Sequence, residues 1–324
     1  MSFLSSTVSS RSLSHSPSAC SFFIIPVYNK PRSKSDAGRH VSTAVAGRTR
    51  RHNRAEGVFP VETVWRYMDS GASEASYNMA VDEAVAESAR KGGAPPTLRL
   101  YGWTEPSVSI GCFQKADDID RDYCRGRGIP IVRRPTGGRA ILHGRELTYS
   151  FASGSSLPCF SGGLLSTYGE LSMAFCAALR ALGIEAELKS RREKGRILTG
   201  SSLCFQSVSY GELSIGGRKV IGSAQKRWRD GFLQQGSIPF TLDVELMERV
   251  FRGADRARIE SSMTGLSEHL PALTPDDLKA PIVTAFEETF GVTLRPMGLT
   301  SEEEALALRL QEQKYRSEEW TYCR

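Results

Sequence analysis

Two stretches of the chain carry residue types that could do chemistry. The first, SSLCFQSVSYGELSIGGRKVIGSAQ (residues 201–225), holds a thiol, Cys204, and fifteen residues later an amine, Lys219, just past a Gly-Gly turn. A thiol becomes a good nucleophile only once deprotonated; its free pKa is near about 8.5, and a neighbouring cation lowers it. Lys219 could supply that cation, and could also donate a hydrogen bond to the carbonyl oxygen of an acyl group on Cys204. The second stretch, RRPTGGRAILHGRELTYSF (residues 133–151), sets Gly137 and Gly138 between Arg134 and Arg139, with His143 beyond. Adjacent glycines permit positive φ and close approach of backbone N–H groups to a ligand. Such a loop could hold an acyl carbonyl, a phosphate or a mixed anhydride.

Each feature has a plainer reading. Most Gly-Gly pairs are turns, and neither G-x-x-x-x-G-K-[ST] nor G-x-G-x-x-G is present. A lone histidine is more often structural, although a His143–Cys204 catalytic pair is open on sequence grounds. A free cysteine is most often a small buried hydrophobe. Local geometry also separates the thiol from the amine. If Gly216-Gly217 is a two-residue hairpin loop, Lys219 faces Ser214. Cys204 would then be about 33 Å from Ser214 along a straight strand. A dyad requires the CFQSVS segment to fold back over the hairpin.

The elements that must position these residues alternate between strand and helix patterns. VWRYMDSG reads as a strand ending in a Ser-Gly turn. SEASYNMAVDEAVAESARKGG is a helix with Tyr77, Ala80, Val81, Ala84 and Val85 at helical spacing. TLRLYGW, SVSIGCF and IPIVRR are short strands, and DDIDRDYCRGRG is a helix. LLSTYGELSMAFCAALRALG is an amphipathic helix with Gly183 at its end. GELSI and RKVIGSAQ form a hairpin, GFLQQGSIPF follows, and helices are expected near 243–252, 275–290 and 301–316. Strands and helices mix without strict βαβ alternation. The fold class is therefore α+β, with mixed or antiparallel sheets flanked by helices, in a single domain over 59–324 that turns helical from about 243.

Charge divides the 324 residues. The chain has 42 Lys/Arg against 36 Asp/Glu; residues 1–58 hold nine and two of these, leaving 33 against 34 for the rest. The net +6 thus belongs to a Ser/Arg-rich segment that cannot build a core and is expected to be disordered. It reads either as an organellar transit segment or as an over-extended start, so the location is cytoplasmic in one case and plastid or mitochondrial in the other. A near-neutral remainder does not point to nucleic acid, and no apolar run approaches the roughly 18 residues of a membrane span. Seven cysteines at irregular gaps, with no CxxC, argue against a zinc site or disulfide framework and for a reducing compartment. No metal or cofactor is called for, and the chain is read as a monomer.

Taken together, RRPTGGRAILHGRELTYS, YMDSG…NMAVDEAV, LRLYGWTEPSVSIGCFQ, SSLCF, GRKVIGSAQKR, LQQGSI and KYRSEEWTY resemble the biotin/lipoyl protein ligase catalytic-domain superfamily. Within it they resemble the cysteine-dependent octanoyl-carrier-protein:protein octanoyltransferases of the LipM type, from about Val64 to Arg324. The resemblance implies a two-step transfer. Octanoyl would pass from the phosphopantetheine thioester of acyl carrier protein to Cys204. From there it would pass to the lysine ε-amine of a lipoyl-domain acceptor, such as the glycine-cleavage H protein or an E2 subunit. It implies that Lys219 lowers the thiol pKa and contacts the acyl carbonyl, and that Arg134, Gly137, Gly138 and His143 build the acyl and carbonyl pocket. The run QSVSYGEL departs from the family by lacking a proline and placing Gly211 before Glu212. The preceding KSRREKGRILTG is read as a solvated loop or a contact for an acidic carrier protein. Other readings are an ATP-dependent lipoate ligase, which has no need of Cys204, an amidotransferase between lipoyl-bearing proteins, and a non-catalytic lipoyl-domain binder.

Overall fold

A computed structural model describes residues 63–188 and 212–323. The N-terminal segment 1–58, the basic stretch 189–200, and Cys204 with its expected fold-back loop lie outside the described residues.

The order is β1 (Val64–Ser73), α1 (Ala75–Lys91), β2 (Thr97–Trp103), β3 (Ser107–Ile110), α2 (Arg121–Gly126), β4 (Ile131–Arg133), β5 (Ile141–His143), β6 (Glu146–Gly154) and α3 (Gly163–Ala181). It continues with β7 (Glu187–Leu188), β8 (Leu213–Ile215), β9 (Arg218–Arg227), β10 (Gly231–Pro239), α4 (Val244–Val250), α5 (Arg256–Ser262), α6 (Pro275–Phe290), β11 (Thr293–Pro296), α7 (Ser301–Leu310) and α8 (Glu318–Thr321). Eight strands form one mixed sheet in the order β11-β1-β2-β6-β10-β9-β8-β7, and β4-β3-β5 form a small second sheet. The α+β expectation holds. Among the described residues no helix is long and apolar enough to cross a membrane.

Side chains alternate across a strand, and here that alternation separates packing from chemistry. On β2 and β6, Leu98, Leu100, Leu147, Tyr149 and Phe151 face one core, shared with Phe175 of α3 and Phe286 of α6. Each fully buried large apolar side chain there contributes about 1.5–3 kcal/mol. The intervening residues Arg99, Tyr101, Thr148 and Ser150, with Gln235 and Ser237 of β10, are buried too but polar. They look toward α1 and the small sheet, which has its own core with Met247 of α4 and Ile259 of α5.

Two elements differ from expectation. β1 does not end at Ser70-Gly71. It passes an irregularity between Asp69 and Ala72, with Gly71 at φ +60°, because β2 still offers Gly102 and Trp103 as ladder partners. The helical C-terminal part also contains a strand, β11, which pairs in parallel with β1 through Val64↔Thr293 to Tyr67↔Pro296. Four residues ending in proline are too few to display a period.

Candidate functional site

The Gly-Gly loop joins β4 to β5. Only Gly138 of the pair takes a left-handed conformation, at φ +86°. The loop lies against Gly111, where a Cβ would stand 1.9 Å from the Gly138 carbonyl oxygen, so only glycine allows this approach. Arg134 is buried and wraps the loop from inside. Its Nη2 donates to the carbonyls of Gly137 and Arg139, each at 2.7 Å, and its Nη1 donates to the Ser109 carbonyl at 3.0 Å and the Ser109 hydroxyl at 3.1 Å. Arg134 therefore shapes the loop through its carbonyls.

A second set of bonds fixes the loop from the large sheet. Thr136 Oγ1 donates to Gln235 Oε1 at 2.7 Å, and Gln235 Nε2 donates to Asp82 Oδ2 at 2.7 Å. Asp82, on α1, also accepts from Arg99 Nη1 (2.7 Å), Ser150 Oγ (2.6 Å) and the Tyr101 hydroxyl (2.8 Å). A buried carboxylate is tolerable only when partnered in this way. Burial and the nearby Asp82 push the Tyr101 phenol well above its ordinary pKa, so it remains a donor.

His143 stands where the small sheet meets the polar face. Its ring stacks on Trp103 at 3.9 Å and 15°. Nδ1 lies 2.8 Å from Glu146 Oε1, and Nε2 lies 2.7 Å from Ser109 Oγ. Glu146 also accepts from Ser237 Oγ at 2.8 Å and from Thr148 Oγ1, which in turn accepts from Trp103 Nε1 at 2.7 Å. Burial works to raise the Glu146 pKa, but the charge of His143 and the bonds from His143, Thr148 and Ser237 outweigh it and hold the carboxyl below its ordinary value. Glu146 is therefore ionised at neutral pH and can only accept, so Nδ1 carries the proton.

Lys219 is placed by the hairpin as its turn predicts. Gly216 and Gly217 take φ +55° and +78°, and Ser214 pairs with Lys219. The Lys219 side chain is fully buried, and its Nζ donates to Glu212 Oε1 at 2.5 Å. Glu212 is a partner that sequence reading did not assign. Its signal was a charged residue two positions before Ser214, within diagonal reach of a long side chain across the pair. Ser109 and Glu146 were missed as well. Ser109 is 34 residues from His143 and reaches it only through the β3–β5 pairing.

Ser109, Arg134 and His143 line a narrow slot between the sheets, closed on the other side by Met79, Gly222 and Gly236. The free space in it is about 20 Å³, little more than the roughly 10–15 Å³ that a single water needs. Trp103, Ile141, His143 and Ser237 also line an open cleft of about 780 Å³ toward α4 and α5. His143 thus stands between cleft and slot. Among the described residues, no three His, Cys, Asp or Glu side chains group so as to hold a metal ion.

The chain is similar in sequence and in fold to known proteins. The pattern of the lipoyl protein ligase A/B catalytic domain matches residues 74–287. An octanoyltransferase LipM of Kyrpidia tusciae is 40% identical over 271 residues, covering 80% of this chain and 98% of its own length. One of Symbiobacterium thermophilum is 41% identical over 273 residues, with 80% and 98% covered. In fold, the chain is similar to a bipartite lipoate protein ligase of Thermoplasma acidophilum, at a TM-score of 0.68 and 24% identity, covering 80% of this chain and 96% of the other.

Proposed function

As this chain belongs to the lipoyl protein ligase A/B catalytic-domain family, we propose that it is a thiol-dependent octanoyltransferase of lipoate biosynthesis, with octanoyl-acyl carrier protein as donor and a lipoyl domain as acceptor. The observation that carries the reading is Lys219. It is a fully buried amine on β9, the later strand of the hairpin that follows Cys204 in sequence, with the Glu212 carboxylate as its partner.

The reaction runs in two exchanges. The Cys204 thiolate attacks the donor's thioester carbonyl. A new C–S bond forms, the old one breaks, and the pantetheine sulfur leaves as thiolate, taking its proton from solvent. One thioester replaces another, so no ATP is consumed. The acceptor's lysine amine then attacks the enzyme thioester, giving an amide and returning the thiol. The amide is the more stable product, and it draws the sequence forward.

The residues divide the work. Lys219 is the donor to the thiolate and, as the tetrahedral intermediate forms, to the acyl oxygen. The Gly137-Gly138 loop, set by Arg134, Gly111 and the Thr136–Gln235–Asp82 bonds, forms one wall of the carbonyl site. The open cleft admits the pantetheine arm and later the acceptor lysine. The slot receives the octanoyl chain, whose burial contributes about 0.8 kcal/mol per CH₂. Because so little space is free there, the chain enters by displacing lining side chains. Met79, an unbranched thioether, is the adaptable one.

The test is co-reactant dependence. Purified protein with octanoyl carrier protein and an apo lipoyl domain should form the octanoyl amide without ATP. A product that forms only from free octanoate and ATP would make the protein a ligase instead.

A further inference from the structure

The stretch KYRSEEWTY (residues 314–322) folds against Arg133, at the base of the Gly-Gly loop. Successive side chains leave an extended chain on opposite sides. Arg134 turns inward to the loop, and Arg133 turns the other way, toward α8. Arg133 is fully buried. Its Nε donates to the carbonyls of Trp320 at 3.2 Å and Thr321 at 3.0 Å. Its Nη1 donates to the carbonyls of Gly111 and Gln114, each at 2.7 Å. Trp320 returns a bond, with its indole Nε1 donating to the Arg133 carbonyl at 2.9 Å. One guanidinium thus joins α8 to the segment 111–114.

The Gly-Gly loop rests on that segment. The Cys112 N–H donates to the Thr136 carbonyl at 2.8 Å, and at Gly111 the Gly138 carbonyl comes too close for any side chain. A shift of residues 111–114 therefore passes straight into the loop backbone. The C-terminal turn is in its own right held on α1. Lys314 Nζ donates to the two Glu83 oxygens at 2.8 and 2.6 Å, and the Tyr315 hydroxyl donates to Glu83 Oε2 at 2.5 Å. Burial and Glu83 push the Tyr315 phenol well above its ordinary pKa, so it stays a donor. The Lys314 ammonium lies 4.2 Å over the Trp320 ring, and the Tyr315 ring meets it edge-on. Glu83 is next to Asp82, which braces the loop from inside through Gln235 and Thr136. Adjacent acids of α1 thus carry an inner and an outer support for one loop.

We propose that the C-terminal turn is a clasp that sets the Gly137-Gly138 loop through Arg133, so that Arg133 and Trp320 are positioning residues for the transfer. This rests on the octanoyltransferase reading above, in which the loop is one wall of the carbonyl site. Neither residue acts on the substrate. Trp320 holds Arg133, Arg133 holds the Gly111 and Gln114 carbonyls, and Gly111 fixes how far the Gly138 carbonyl can advance. Lysine cannot replace Arg133 here, because a single ammonium lacks the guanidinium fork that reaches α8 and residues 111–114 together.

Two readouts are to be taken on each folded variant: steady-state octanoyl transfer to an apo lipoyl domain, and hydrogen exchange resolved to peptides over residues 108–116 and 134–140. Arg133→Lys should lower kcat and kcat/KM together by about tenfold or more, with KM for octanoyl carrier protein within about twofold of wild type. Exchange should quicken in the two loop peptides and stay as in wild type in β6 and β10. Trp320→Phe keeps an aromatic ring and removes the Nε1–H, so it should shift both readouts the same way, by a smaller factor, if the arginine variant folds poorly. A clasp that served stability alone would raise exchange across the fold and leave kcat of the folded protein unchanged. Wild-type kcat in both variants, or exchange that rises equally in β6 and β10, overturns the proposal. If wild type makes no octanoyl amide, the parent reading fails and the role in transfer falls with it. Loop peptides that stay protected in both variants of an active enzyme remove the clasp alone.

Discussion

Lys219 Nζ and Glu212 Oε1 lie 2.5 Å apart, with the lysine side chain wholly removed from solvent. A buried ammonium is costly unless paired, and β9 commits this one to the interior beside the sheet that carries the site. Lys219→Met should keep the hairpin, because its register is set by Gly216-Gly217. Octanoyl transfer should fall by about 10²–10³-fold, the loss expected for one donor to a developing oxyanion. Steady-state transfer, with circular dichroism as a fold check, measures this. Activity within twofold of wild type would remove Lys219 from the mechanism.

Gly111 is the clearest steric requirement of the site. A methyl group there would collide with the Gly138 carbonyl, which is backbone and cannot rotate away. Gly111→Ala should displace the Gly-Gly loop and lower kcat/KM at least about tenfold, as small misplacements of catalytic groups do. Kinetics on the folded variant would check it.

Met79 limits the slot. Met79→Ala should add room for further methylenes, shifting the preferred donor from octanoyl toward decanoyl and dodecanoyl. Each CH₂ newly buried is worth about 0.8 kcal/mol, or roughly fourfold in relative specificity. Competition between donors of different length, read by product mass, tests this. An unchanged profile would place the acyl chain elsewhere.

Arg66 and Glu303 join β1 to α7 by two buried bonds, of 2.6 and 2.7 Å. Burial works to raise the Glu303 pKa, but the Arg66 pair and the Thr300 backbone bond hold it below its ordinary 4.5. Its folded pKa is depressed, so the stability it contributes is complete above about 4.5 and is lost as pH falls toward the folded value. Glu303→Gln should cost about 3–5 kcal/mol at neutral pH, the range for breaking a buried pair. Its stability should also fall less steeply on acidification. Urea melts from pH 3 to 7 would show both effects.

Much of this was legible in the sequence, for identifiable reasons. The α1 and α3 helices declare themselves by apolar spacing, and Gly216-Gly217 fixes the partner of Lys219. The polar face was harder to see. Gln235 and Asp82 look like ordinary polar residues until β10 and α1 bring them to Thr136, 99 residues from Gln235 in sequence. Glu146 follows His143 by three residues in a stretch singled out for its glycines, and the turn at Gly144-Arg145 brings the two side chains together. Ser109 meets His143 only when β3 pairs with β5, which no local pattern encodes. β11 gave no signal because its four residues owe their extended form to β1.

The central claim is a covalent intermediate on Cys204, and intact-mass spectrometry after mixing with octanoyl carrier protein tests it most directly. The account predicts one added octanoyl group, mapped to Cys204, released by hydroxylamine, discharged by an apo lipoyl domain and absent from Cys204→Ser. A Cys204→Ser protein that transfers octanoate at the native rate, or an octanoyl group carried on another residue, would contradict it.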